Sequence, residues 1–108
     1  MFIHNVFFWC KPGTSRLAVE QLIEDCRGSL TRVGTVRRLH CGRPAMTPRE
    51  VVDNSYSVGM TVAFDDRAGH DAYQDDPLHK EFMKRHKEQW ERVLVFDYEE
   101  EDSPAATS

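Results

Sequence analysis

The chain has 108 residues, 40% of them hydrophobic and 30% charged, with a formal net charge of -4. That is enough for one domain with its own core, and it excludes a disordered or fibrous chain. Basic residues such as Arg37-Arg38 and Lys80, Lys84, Arg85 and Lys87 are broken up by acidic neighbours, which argues against nucleic acid as a partner.

No apolar run approaches the roughly 20 residues of a membrane span. The start Met1-Phe2-Ile3-His4 lacks the basic and apolar segments of a leader, so the expected location is the cytoplasm. Cys10, Cys26 and Cys41 are odd in number and form no Cys-x-x-Cys, so reduced and mostly buried thiols are expected.

Residues 2 to 10 are dense in β-branched and aromatic types and stop at the turn signal Lys11-Pro12-Gly13, which predicts a first strand. Alternation puts Ile3, Phe7 and Trp9 on one face and His4, Val6 and Phe8 on the other, so both faces expect cover. Thr14 or Ser15 caps a helix to about Gly28 whose apolar face gathers Ala18, Leu22, Ile23 and Cys26. A second strand fits Thr35 to Cys41, half exposed because of Arg37 and Arg38.

Gly42 to Ser55 reads as a loop with one helical turn at Thr47-Pro48-Arg49-Glu50, either bordering a site or subunit contact or simply running over the surface. In the third strand Tyr56, Val58, Met60, Val62 and Phe64 alternate with the small residues Ser57, Gly59, Thr61 and Ala63. The small face leaves volume for a ligand, a helix aromatic or a partner strand.

Asp65 or Asp66 caps the next helix, which carries His70, Ala72 and Tyr73 and is broken before Pro77. A second helical piece, Leu78 to about Glu91, puts His79, Met83, His86 and Trp90 on a stripe with Phe82 beside it. Val93 to Tyr98 reads as the last strand. The domain is expected over 1-98, with an acidic tail over 99-108 whose end, Ser103 to Ser108, is disordered.

The order strand, helix, strand, strand, helix, strand predicts an α+β fold, the ferredoxin-like βαββαβ arrangement with both helices on one face of a four-stranded antiparallel sheet. The uncovered face would keep large apolar side chains, and pairing two copies sheet to sheet covers them as a dimeric α/β barrel.

The opening Ile3-His4-Asn5-Val6-Phe7-Phe8-Trp9 with Lys11-Pro12-Gly13-Thr14, the stretch Asp71 to His79 with its Tyr-x-x-x-Pro-x-His pattern, and Val93 to Tyr98 together resemble the stress-responsive α/β-barrel domain family. The resemblance spans nearly the whole chain up to Tyr98. It implies a homodimer with facing sheets and says less about activity. A looser resemblance is to the plant olivetolic acid cyclase, which closes a polyketide by aldol condensation without metal or organic cofactor. Its strand His, helix Tyr and His after the Pro correspond to His4, Tyr73 and His79. Asp76 departs from the cyclase, which has a His before the Pro, and would repel an anionic substrate at a pocket mouth.

On these grounds the candidate catalytic residues are His79 as base, Tyr73 as donor to a carbonyl oxygen and His4 as the group that orients one partner. Val6, Phe8 and Phe82 are the expected lining of a cavity between sheet and helices that holds a small organic molecule. Core histidines bonded to the backbone or to Tyr73, in a non-catalytic stress-associated dimer, are the competing reading. His79 and His86 are seven apart, about 10 Å along a helix, too far for one ion. His4 with His79 would make a partial site only if Asp76 or Asp97 joined, so neither a metal nor an organic cofactor is expected. Arg43 and Arg49 read as solvated loop residues, and Trp9, Tyr56, Trp90 and Tyr98 as core or interface.

Overall fold

The computed structural model describes residues 1-101. β1 spans Phe2–Cys10, α1 Arg16–Gly28, β2 Val36–Gly42, β3 Val58–Phe64, α2 Arg67–Asp75, α3 Pro77–His86 and β4 Trp90–Glu99, with short 3-10 turns at Leu30–Arg32 and Lys87–Gln89. The four strands form one sheet in the order β2-β3-β1-β4, every pairing antiparallel. This is the ferredoxin-like α+β arrangement expected from the sequence.

Local chemistry sets the boundaries. Pro12 and Gly13 turn the chain out of β1, Gly13 taking φ +86°, a conformation that costs a residue without Cβ little. Ser15 caps α1 by accepting from Ala18 N–H at 3.1 Å, and Asp66 caps α2 by accepting from Gly69 N–H at 2.8 Å. Asp76 closes α2 in extended geometry and caps α3 through Leu78 N–H at 2.8 Å, with Pro77 at the first helical position. One aspartate-proline pair thus ends one helix and starts the next.

The core lies between the helices and one sheet face, built from Phe2, Val6, Phe8, Val58, Met60, Val62 and Phe64 below and Leu22, Cys26, Tyr73 and Phe82 above. On α1 the buried residue is Val19 rather than Ala18, because Val19, Leu22 and Cys26 complete the stripe at helical spacing. The other face carries Ile3, Phe7 and Trp9 of β1 opposite Tyr98, Leu94 and Arg92 of β4. Gly59, Thr61 and Ala63 lie on this open face too, not on the inner one. Tyr56, just before β3, turns across to join them: the rings of Phe7 and Tyr56 lean over Gly59, where a Cβ would meet each at 3.3 Å. The volume left by the small residues is therefore filled by aromatic rings of the same chain.

Several boundaries differ from expectation, β3 starting at Val58 rather than Tyr56 among them. α3 stops at His86, and Trp90 opens β4 instead of ending the helix. Its ring still reaches the core, tilted against Phe8 with centroids 4.5 Å apart, which is why helical spacing alone misplaces it. β4 takes in Glu99, and Glu100 N–H donates to the Met1 carbonyl at 2.8 Å, so the start of the expected tail is strand. The disorder expected for Ser103 to Ser108 lies outside the described residues. In the long loop a single turn closes from Val52 N–H to the Arg49 carbonyl at 3.0 Å and goes no further, since its residues are exposed and lack an apolar face to bury. Among the described residues no helix is long and apolar enough to cross a membrane.

Candidate functional site

His4 stands in the middle of β1 on the helix-facing side, paired across the strands with Asp97 of β4. His4 Nδ1 lies 2.5 Å from Asp97 Oδ1. A carboxylate can only accept, so Nδ1 donates and Nε2 keeps the lone pair. Burial lowers the proton affinity of this imidazole more than the hydrogen bond and charge of Asp97 raise it, and His70 adds to the lowering. The pair is a neutral imidazole held by a carboxylate near neutral pH.

Tyr73 sits in α2, fully buried, its ring 6.1 Å from that of His4 and 4.7 Å from that of His79. Its hydroxyl has no hydrogen-bond partner among the described residues. Burial pushes the phenol well above its ordinary range, so it keeps its proton. His79, half-buried in the first turn of α3, is held below the usual imidazole value by burial first and then by the charge of His4; the Gln74 backbone and Asp76 oppose this.

These three side chains border one cavity of about 120 Å³. Its floor is His4, Val6 and Phe8 of β1 and its roof Tyr73, His79 and Phe82, so all six residues singled out in the sequence meet there. The reading missed Met60 and Trp90 on the inner wall and Gln74 in α2. Trp90 fits a helical stripe equally well in sequence, and its indole Nε1 is buried without a partner among the described residues. The mouth opens between α3 and the edge strand, where Met83, Val93 and Val95 are 37%, 43% and 44% exposed. The lining is apolar apart from its two imidazoles and Gln74, with the Tyr73 hydroxyl and the Trp90 indole N–H buried within its wall, the composition of a small-molecule site.

His86 has a different role. Its Nε2 lies 2.5 Å from Asp25 Oδ2, tying α3 to α1 as a structural core histidine. Arg43 reaches Glu20 at 3.8 Å and takes no part in the cavity. For a metal, the sequence weighed His4 with His79; the structure instead gathers His4, His70 and Asp97, whose donor atoms all lie within 4.8 Å of one another.

A four-stranded antiparallel sheet with helices on one face and a histidine-bearing cavity between them defines a ferredoxin-like α+β domain. The chain belongs to the stress responsive A/B barrel domain (Dabb) family, whose sequence profile matches residues 2–100. No curated protein matches it in sequence. Among solved structures it is similar to a protein of Arabidopsis thaliana, with TM-score 0.81 and 21% identity over 95% of this chain and 98% of that one. It is also similar to the hydroxynitrile lyase of Passiflora edulis, with TM-score 0.77 and 20% identity over 95% and 96%. A dimeric ferredoxin-like protein of Thermobifida fusca gives TM-score 0.76 and 16% identity over 90% and 88%. At such identities the likeness is one of fold.

Proposed function

We propose that this protein is a homodimer that binds a small organic carbonyl compound in the cavity between sheet and helices and moves a proton on it without a cofactor. The observation that carries this reading is the convergence of His4, Tyr73 and His79 on one otherwise apolar cavity with a mouth to solvent. A volume of about 120 Å³ suits a molecule roughly the size of one aromatic ring, since an apolar cavity of similar volume accepts benzene. A neutral His79 accepts a proton from the carbon beside the carbonyl. The protonated Tyr73 hydroxyl donates to the oxygen as enolate charge builds, and His4, fixed by Asp97, orients the ligand against them. That a hydroxynitrile lyase shares this fold supports acid-base chemistry in such a cavity.

The dimer part of the reading draws on the open sheet face. Phe7, Trp9, Tyr56, Leu94 and Phe96 line a shallow apolar depression there, and Phe96 and Tyr98 are 57% and 58% exposed. Clusters of this kind mark a protein interface, and a second copy presents the same surface. The Thermobifida fusca relative in fold is described as dimeric, which agrees.

The test is proton exchange at the methyl group of acetophenone in D2O, followed by NMR together with the ring resonances of His79 and Tyr73. The expected result is exchange above the buffer rate, with ring shifts on binding, and a loss on the order of 10²-fold in His79→Gln. Exchange at the buffer rate with no ring shift for acetophenone or for smaller enolisable ketones would overturn it and leave a non-catalytic dimer with core histidines.

A further inference from the structure

His70 is a third neighbour of the His4 and Asp97 pair that the acid-base reading does not use. This residue of α2 stacks on Phe2 with ring centroids 4.4 Å apart and lies 5.0 Å from the ring of His4. Donor atoms of His4, His70 and Asp97 fall within 4.8 Å of one another, although the three residues come from β1, α2 and β4. We propose that His4, His70 and Asp97 form a binding site for a divalent first-row transition metal ion such as Zn²⁺.

Two imidazoles and one carboxylate are the donor set of such ions, whereas Mg²⁺ and Ca²⁺ favour oxygen alone. Bonds of about 2.0–2.2 Å in tetrahedral geometry place neighbouring donors about 3.3–3.6 Å apart. The cluster reaches that spacing if His4 Nδ1 and Asp97 Oδ1 part by about 1 Å from 2.5 Å and His70 closes in. The ion then stands where the proton between His4 and Asp97 stood, and the imidazole proton moves to Nε2, a change of tautomer with no net loss.

The outer shell is partly in place. His70 Nδ1 lies 3.1 Å from Asp71 Oδ1, the carboxylate support that fixes a ligating imidazole and leaves its Nε2 free to bind. Gln74 Nε2, now 3.3 Å from His70 Nε2, has to swing aside. Access is through an open cleft of about 280 Å³ on which His70, Asp71, Asp97 and Glu99 all border. Its carboxylates attract a cation, Arg67 being engaged by Glu99 at 2.9 Å, and its volume leaves room for the remaining coordination positions.

The test is titration of the full chain with Zn²⁺ by calorimetry and with Co²⁺ by visible absorption, alongside His70→Gln, Asp97→Asn and, as a control on the open sheet face, His40→Gln. The expected result is one equivalent bound, a Co²⁺ band of four- or five-coordinate intensity, and affinity at least tenfold weaker in both ligand variants with no change in the control. Absence of binding by 100 µM Zn²⁺, or affinity unchanged in either ligand variant, overturns the proposal. Should a variant fail to fold, the ring ¹⁵N resonances of the unaltered protein decide: His4 and His70 must both shift with Zn²⁺ and His40 must not. The proton-exchange assay is run on metal-free protein, so failure of one reading is distinguishable from failure of the other.

Discussion

His4 and Asp97 face one another across the central and edge strands, 93 residues apart in the chain, with imidazole Nδ1 and carboxylate oxygen 2.5 Å apart. The pairing joins β1 to an edge strand that little else covers. Replacing Asp97 by Ala strips a buried imidazole of its acceptor and is expected to cost about 1–3 kcal/mol. Asp97→Asn keeps an acceptor oxygen and is expected to cost less. Urea unfolding midpoints of the two variants check this, and equal losses would show that the hydrogen bond contributes nothing specific.

Tyr73→Phe separates stability from ligand binding. The buried hydroxyl has no partner within the described residues, so removing it is expected to leave stability unchanged or raise it by about 1 kcal/mol. Binding of acetophenone is expected to weaken, because the donor to its oxygen is gone. A thermal melt and an NMR titration on the same sample test both halves. A variant that melts markedly lower would mean that the hydroxyl is bonded within the fold.

Acid should loosen the contact between α1 and α3. Burial opposes ionisation of Asp25, but the hydrogen bond from His86 and the charge and hydrogen bond of Arg85, 3.1 Å away, outweigh it and hold the carboxyl below its ordinary value. A depressed folded value means that stability is fully present above about pH 4, the unfolded range, and drains away as pH falls through the folded value. Urea midpoints between pH 6 and pH 2 are expected to fall more steeply in the native chain than in Asp25→Asn. Parallel curves would remove Asp25 as the cause.

On the open face Phe7 packs against Tyr56 and Phe96 at ring distances of 5.0 and 6.4 Å. Phe7→Glu and Phe96→Glu place a carboxylate where a second copy would bury it, a cost that association cannot meet. Sedimentation is expected to show monomers or aggregates with helical circular dichroism retained. Dimers that survive both substitutions would refute pairing through this face.

Much of this was legible in the sequence where a residue dictates backbone geometry. Pro12-Gly13 ended β1 where expected, and Asp76-Pro77 split the helices, which put Tyr73 and His79 on separate pieces. The alternation of β1 sorted His4, Val6 and Phe8 from Ile3, Phe7 and Trp9 correctly. What could not be read was register. Nothing in either strand says that residue 4 faces residue 97, so Asp97 was only one of two candidate partners, and the approach of His70 depends on how α2 lies over the sheet. Trp90 was misplaced for a related reason: a large aromatic four residues after His86 satisfies a helical stripe as well as the first buried site of a strand.

The Asp76-Pro77 corner makes the roof of the cavity a two-part structure over a one-part floor. His79 and Phe82 travel together on α3, while Tyr73 is anchored with α2, and His4, Val6 and Phe8 are locked to neighbouring strands on both sides. A change in the tilt of that short helix alone therefore resizes the chamber and resets the spacing between phenol and imidazole, while the hydrogen-bonded layer beneath stays as it is.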